Sequence, residues 1–117
     1  MKKKILIVDD DTDILFILKI MLEMKGFAVE ISAEPGKILL PGSDMPDLLL
    51  LDIWMGNYDG REICQQLKSR PATNRLPIIL LSASKDIEQS AKDSGADDFV
   101  AKPFEQKYLL EKIGRYI

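Results

Sequence analysis

Three runs of four apolar residues, each broken off by a polar side chain, constrain this chain more than any other feature. They are Ile5-Leu6-Ile7-Val8 before Asp9, Leu48-Leu49-Leu50-Leu51 before Asp52, and Ile78-Ile79-Leu80-Leu81 before Ser82. Runs without alternation suit strands buried on both faces, as in a parallel sheet covered by helices. Phe27 to Ile31 alternates more and reads as a strand nearer an edge, and Phe99-Val100-Ala101 is a fifth, short candidate. Helical patterns fill the gaps. Ile14, Leu15, Leu18, Met21 and Leu22 recur at helical spacing ahead of Gly26. Arg61 to Lys68 places Ile63, Cys64 and Leu67 on one side. Lys85 to Ser94 is a polar helix anchored by Ile87 and Ala91 and stopped by Gly95. Tyr108, Leu109, Ile113 and Tyr116 or Ile117 make the C-terminal helix amphipathic. Pro35 and Pro41, with Gly36 and Gly42, leave room only for a short second helix. Strand and helix thus alternate five times, which argues for a doubly wound α/β sheet with right-handed crossovers.

The 117 residues give one domain, spanning 1–117, and leave no room within them for a second. Sixteen basic against nineteen acidic side chains give a net charge of −3, so nothing draws the chain generally to nucleic acid or anionic lipid. The single cysteine, Cys64, excludes an internal disulfide or a cysteine-based zinc cluster. There is no histidine, which removes His-based acid–base catalysis, Ser-His-Asp triads and His-ligated metals together. Lys2-Lys3-Lys4 precedes an apolar run that stops after four residues, far short of a secretory or membrane-spanning segment. The expectation is a soluble, cytoplasmic protein.

In open parallel sheets, ligands bind outside the carboxyl ends of the strands. The residues just past the apolar runs are Asp9 and Asp10, Asp52, Ser82, and Lys102 followed by Pro103. Three carboxylates, a hydroxyl and an ammonium are therefore delivered to one end of one sheet. Each has a plain structural role available: acids at a helix start are caps and dipole partners, and Ser82 or, more readily, Ser84 could cap the next helix. Their convergence is what such roles explain badly. Three acids together repel one another unless a cation joins them. All-oxygen ligands favour a hard divalent ion such as Mg²⁺, with Mn²⁺ as an alternative. A lysine beside that ion suits a second anionic guest, and a phosphoryl group fits, with an aspartate as its covalent acceptor. A chain without histidine is a poor source of phosphohistidine but could receive phosphate from one.

These residues resemble the receiver domain of two-component response regulators, in its single-domain chemotaxis form, over essentially the whole chain. The resemblance rests on Ile5 to Asp11, Pro46 to Met55, Asp59-Gly60, Pro77 to Ala83, Gly95 to Phe99 and Lys102-Pro103-Phe104, in order and at the expected separations. It implies a flavodoxin-like fold, five parallel strands in the order 2-1-3-4-5 with helices on both faces. It further implies that Asp52 is the phosphoacceptor, and that Asp9, Asp10, Asp52 and the backbone carbonyl of Trp54 hold Mg²⁺. Ser82 and Lys102 would each meet a phosphoryl oxygen, Phe99 would be the aromatic switch residue, and the Lys102–Pro103 bond would be cis. The implied partners are a sensor histidine kinase or a histidine phosphotransfer protein, with no direct contact to nucleic acid or membrane. The implied output surface is the fourth helix, fifth strand and fifth helix of the family.

The chain departs from the family in three places. Gly56 stands where proline usually follows the methionine, which suggests a looser loop. Trp54 stands two past the acceptor, where its side chain could shield the site. The second helix is short and proline-broken. Three functions compete: a phosphorylation-dependent signalling module rather than an enzyme, a degenerate receiver that only docks, and a small Mg²⁺-dependent aspartyl-phosphate phosphatase. The phosphatase wants an acid at the position of Trp54, and the degenerate reading sits badly with five filled site positions. On the output face, Asp98 and Lys112 suit a charged dimer contact of the transcription-factor branch, but Tyr108 breaks that pattern and no dimer is inferred. The sequence leaves open whether it is a single-domain regulator or part of a longer one.

Overall fold

A computed structural model describes residues 2–40 and 44–117. In chain order the elements are β1 (Lys4–Val8), α1 (Thr12–Met24), β2 (Ala28–Ser32), a 3₁₀ turn (Gly36–Leu39), β3 (Leu48–Asp52), β4 (Trp54–Met55), β5 (Tyr58–Asp59), α2 (Gly60–Ser69), β6 (Ile78–Ser82), α3 (Ile87–Ser94), β7 (Asp98–Ala101) and α4 (Gln106–Gly114). Strands β2-β1-β3-β6-β7 form one sheet in that order, all parallel. Counting main-sheet strands alone, this is the order 2-1-3-4-5 expected of a flavodoxin-like receiver.

Alternate residues of each central strand feed two separate cores, which is why the apolar runs show no alternation. Leu6, Val8, Leu49, Leu51, Ile78 and Leu80 pack with Ile63, Cys64 and Leu67 of α2, Ile87 and Ala91 of α3, and Ile38 of the 3₁₀ turn. Ile5, Ile7, Leu48, Leu50, Ile79 and Leu81 pack on the other face against Leu15, Leu18, Met21 and Leu22 of α1 and Leu109 and Ile113 of α4. Helix α1 starts where Asp11 accepts hydrogen bonds from the amides of Asp13 and Ile14. Helix α3 ends at Gly95, whose φ of +81° a β-carbon would resist.

Four expectations need correction. The second helix is only the 3₁₀ turn; Pro41 and Gly42, read as its far bracket, lie outside the described residues. The loop after the acceptor is not loose: β4 and β5 pair antiparallel around Gly56-Asn57. Gly56 takes φ +54° at the first turn position, where a tight hairpin turn of the II′ kind requires glycine. Ser84 does not cap α3; Asp86 is the cap residue, and the Ser84 hydroxyl donates to its carboxylate instead. Tyr108 is not an inward anchor of α4 but lies 44% exposed.

Candidate functional site

Parallel strands deliver their carboxyl ends to one edge, and four of the five end there in a residue singled out from the sequence. Asp9 follows β1 with no exposed surface, while Asp52, the last residue of β3, is 6% exposed. The Asp9 amide donates to the Ser32 carbonyl at the end of β2 (3.2 Å), and the Asp11 amide donates to the Asp9 carboxylate (3.0 Å), which fixes that side chain. Asp10 is exposed on the same rim. One carboxylate oxygen from each of Asp9, Asp10 and Asp52 lies within 4.8 Å of the others, the only such grouping among the described residues.

Lys102, just past β7, reaches into this cluster. Its Nζ is 2.8 Å from Asp9 Oδ2 and 3.5 Å from Asp52 Oδ1. Burial works against its charge, but the two carboxylates outweigh that and raise its pKa. Burial, with the neighbouring Asp9 charge, pushes the Asp52 carboxyl up to about 6, and Lys102 offsets only part of this. One ammonium is too little for three carboxylates so close. The deficit, with an all-oxygen donor set and one exposed acid, fits a hard divalent cation that keeps part of its water.

Ser82, the last residue of β6, is 2% exposed, and its hydroxyl oxygen accepts from the Ser84 amide (3.0 Å). The Lys102 amide donates to the Ser82 carbonyl (2.9 Å), and the Lys102–Pro103 peptide is cis. Phe99 is half-buried on β7 and packs against the α2–α3 side of the sheet. Trp54 is 57% exposed, with the Arg61 guanidinium 4.6 Å from the ring centre.

Gly60 has a part here that its place in an Asp-Gly pair did not reveal. It opens α2 directly against the end of β3, its amide donating to the Ile53 carbonyl at 2.6 Å. A β-carbon at Gly60 would overlap the Asp52 carbonyl oxygen and lie 3.0 Å from its carbonyl carbon. Only glycine lets the helix start this close to the acidic cluster.

A doubly wound parallel sheet whose carboxyl edge carries an acidic triad, a facing lysine and a buried serine defines a phosphoacceptor signalling module. The chain belongs to the response regulator receiver family: residues 5–114 match the family model described as Response regulator receiver domain. It is 37% identical over 116 residues to the response regulator MprA of Mycobacterium bovis, covering 97% of this chain and 50% of that protein. The chain thus spans about half the length of the curated relatives it matches. Among solved structures it is similar to a CheY-like receiver domain protein from Methanospirillum hungatei JF-1. That pair shares 34% identity and a TM-score of 0.82, with 98% of this chain and 93% of that one covered. The response regulator TrrA from Thermotoga maritima, solved in complex with Mg²⁺-BeF, gives 29% identity and a TM-score of 0.86, covering 98% and 99%. Receiver domains are partners of histidine kinases and act as signalling modules. Among the described residues, no helix is long and apolar enough to cross a membrane.

Proposed function

We propose that residues 1–117 make up one receiver domain, working in the cytoplasm, that takes a phosphoryl group onto Asp52 from a phosphohistidine. The donor would be a sensor histidine kinase or a histidine phosphotransfer protein, and neither nucleic acid nor membrane would be contacted directly. The observation that carries this reading is the convergence of Asp9, Asp10 and Asp52 within 4.8 Å beside the Lys102 ammonium. An Asp52 oxygen attacks phosphorus as the nitrogen–phosphorus bond of the donor breaks, and the imidazole keeps the bonding pair. Asp9, Asp10, Asp52 and the Trp54 carbonyl would hold Mg²⁺, or Mn²⁺, which supplies charge neutralisation at the phosphoryl oxygens. Lys102 would leave its carboxylates for one phosphoryl oxygen and Ser82 would turn its hydroxyl toward another. On adjoining strands Ser82 pairs with Ala101 and Leu80 with Phe99, so Ser82 and Phe99 share a face of the sheet two positions apart. Movement of the serine would open space for the Phe99 ring and pass the signal to α3, β7 and α4.

Incubation with acetyl phosphate and Mg²⁺ tests the acceptor. One hydroxylamine-labile phosphoryl group is expected at Asp52, and full labelling of Asp52→Ala by mass spectrometry would overturn the assignment.

A further inference from the structure

Lys112 is the least exposed lysine described, at 7%, although it lies on the last turns of a surface helix. A buried ammonium needs a partner, and this one has three. Its Nζ is 2.5 Å from Asp98 Oδ1, 5.0 Å from the centre of the Phe99 ring and 5.4 Å from that of Tyr108. Asp98 is itself tied down: it accepts from the Phe99 amide (2.9 Å) and, through Oδ2, from the Tyr116 hydroxyl (3.0 Å). The Arg115 guanidinium stands further off at 3.9 Å.

The strand geometry gives this cluster its meaning. β7 is an edge strand, and along it Val100 faces α4 while Phe99 faces the α2–α3 side. Lys112 belongs to α4 yet touches Phe99, so its side chain reaches around the open edge of β7. Cation–π attraction is strongest over the ring face and is lost when the ring turns away. Two of the three partners of the ammonium, Asp98 and Phe99, are consecutive residues of one strand, so the ion pair sets the height at which the cation meets the ring.

We infer that Lys112, anchored by Asp98, holds the Phe99 ring at the open edge of β7 and thereby sets how readily the ring turns inward toward Ser82. This rests on the reading of Phe99 as the switch residue, and it makes Lys112 a positioning residue that opposes switching in the resting protein. Phosphorylation draws the ring inward only by overcoming that contact. The Lys112–Asp98 pair therefore favours the ring position at the strand edge in the unphosphorylated receiver.

The test follows the Phe99 ring by NMR in protein carrying ring-labelled phenylalanine, with Phe99→Leu assigning its signals. In the unphosphorylated protein, Lys112→Met should raise the inward population roughly threefold to tenfold, a factor between those for exposed and fully desolvated cation–π contacts. Lys112→Arg, which keeps a cation over the ring, should restore it. Asp98→Asn, which loosens the ammonium without removing it, should shift the ring in the same direction and serves if Lys112→Met does not fold. Acetyl phosphate should still label Asp52 in all of these, since none touches the acidic cluster. Unchanged Phe99 signals in both Lys112→Met and Asp98→Asn, with beryllofluoride and Mg²⁺ still moving the ring, would overturn the inference and leave the switch reading standing. A ring that beryllofluoride does not move in the parent protein would instead remove the switch reading, and the inference with it.

Discussion

At the scale of single residues, two carboxyl groups are bent in opposite directions by their surroundings. Asp52 is pushed up to about 6 by burial and by Asp9, so its ionised form is the uncomfortable one in the folded, metal-free chain. A carboxyl raised on folding favours the folded state below its unfolded pKa, and that contribution is lost as pH rises through the folded value. Metal-free protein should therefore gain stability between pH 7 and pH 5, as urea midpoints would record, and Asp52→Asn should abolish that gain. Asp98 runs the other way. Burial opposes its charge, but Lys112, the Phe99 amide and Tyr116 outweigh it and hold the carboxyl below its ordinary range. Its contribution is present above the unfolded carboxyl pKa and is lost as pH falls through the lower folded value. The stability difference between parent and Asp98→Asn should thus be flat from about pH 5 upward and shrink below about pH 4. A difference that stayed constant down to pH 3 would mean the Lys112–Asp98 pair contributes nothing to folding.

Elements place these residues, and the least forgiving junction is the one between β3 and α2. Gly60 sits so close to the Asp52 carbonyl that a methyl group has nowhere to go except by pushing backbone against backbone. Gly60→Ala should cost about 1–3 kcal/mol, the usual range for overpacking a tight site, and should slow acetyl phosphate labelling because the acceptor itself is displaced. Gly114→Ala is the control: nothing lies within 4 Å of a β-carbon there, so stability should not fall and labelling should not slow. The hairpin of β4 and β5 belongs to the same junction. Its partner positions Trp54 and Asp59 bring the indole next to Arg61, which forks onto Asp59 with contacts of 2.7 to 3.2 Å. Asp59 also caps α2 through the Arg61 amide. One aspartate therefore closes the hairpin, starts the helix and orients the cation that covers the tryptophan.

For the whole molecule, the packed sheet brings three carboxylates together around a single ammonium before any metal arrives, and folding bears that cost in the Asp52 environment. A ligand that binds only the folded chain stabilises it by RT ln(1 + [L]/Kd), about 2.7 kcal/mol at a hundredfold excess over Kd. Thermal midpoints should rise steadily with Mg²⁺ and less so in Asp10→Asn, which removes the exposed ligand without disturbing the buried two. Midpoints that ignored Mg²⁺ in the parent protein would identify the acids as caps and strand ends only.

Strand identity was legible because it is written locally: Leu48 to Leu51 is apolar on both faces and stops at Asp52, and the same logic placed Asp9, Ser82 and Lys102 on one edge of the sheet. Helix registers followed from short-range spacing, as with Ile63, Cys64 and Leu67. The strand order came from the family resemblance, since periodicity orders nothing across a sheet. What tertiary structure alone decided involves residues that different elements bring together. Gly60 is essential because α2 lands on the Asp52 carbonyl, and Asp98 and Lys112, read from the sequence as charges suited to a dimer contact, pair with each other across fourteen positions. A helical pattern counts which side chains share a face, but only the packed edge of β7 gives the Lys112 ammonium a carboxylate and two rings, and so lets a lysine be buried.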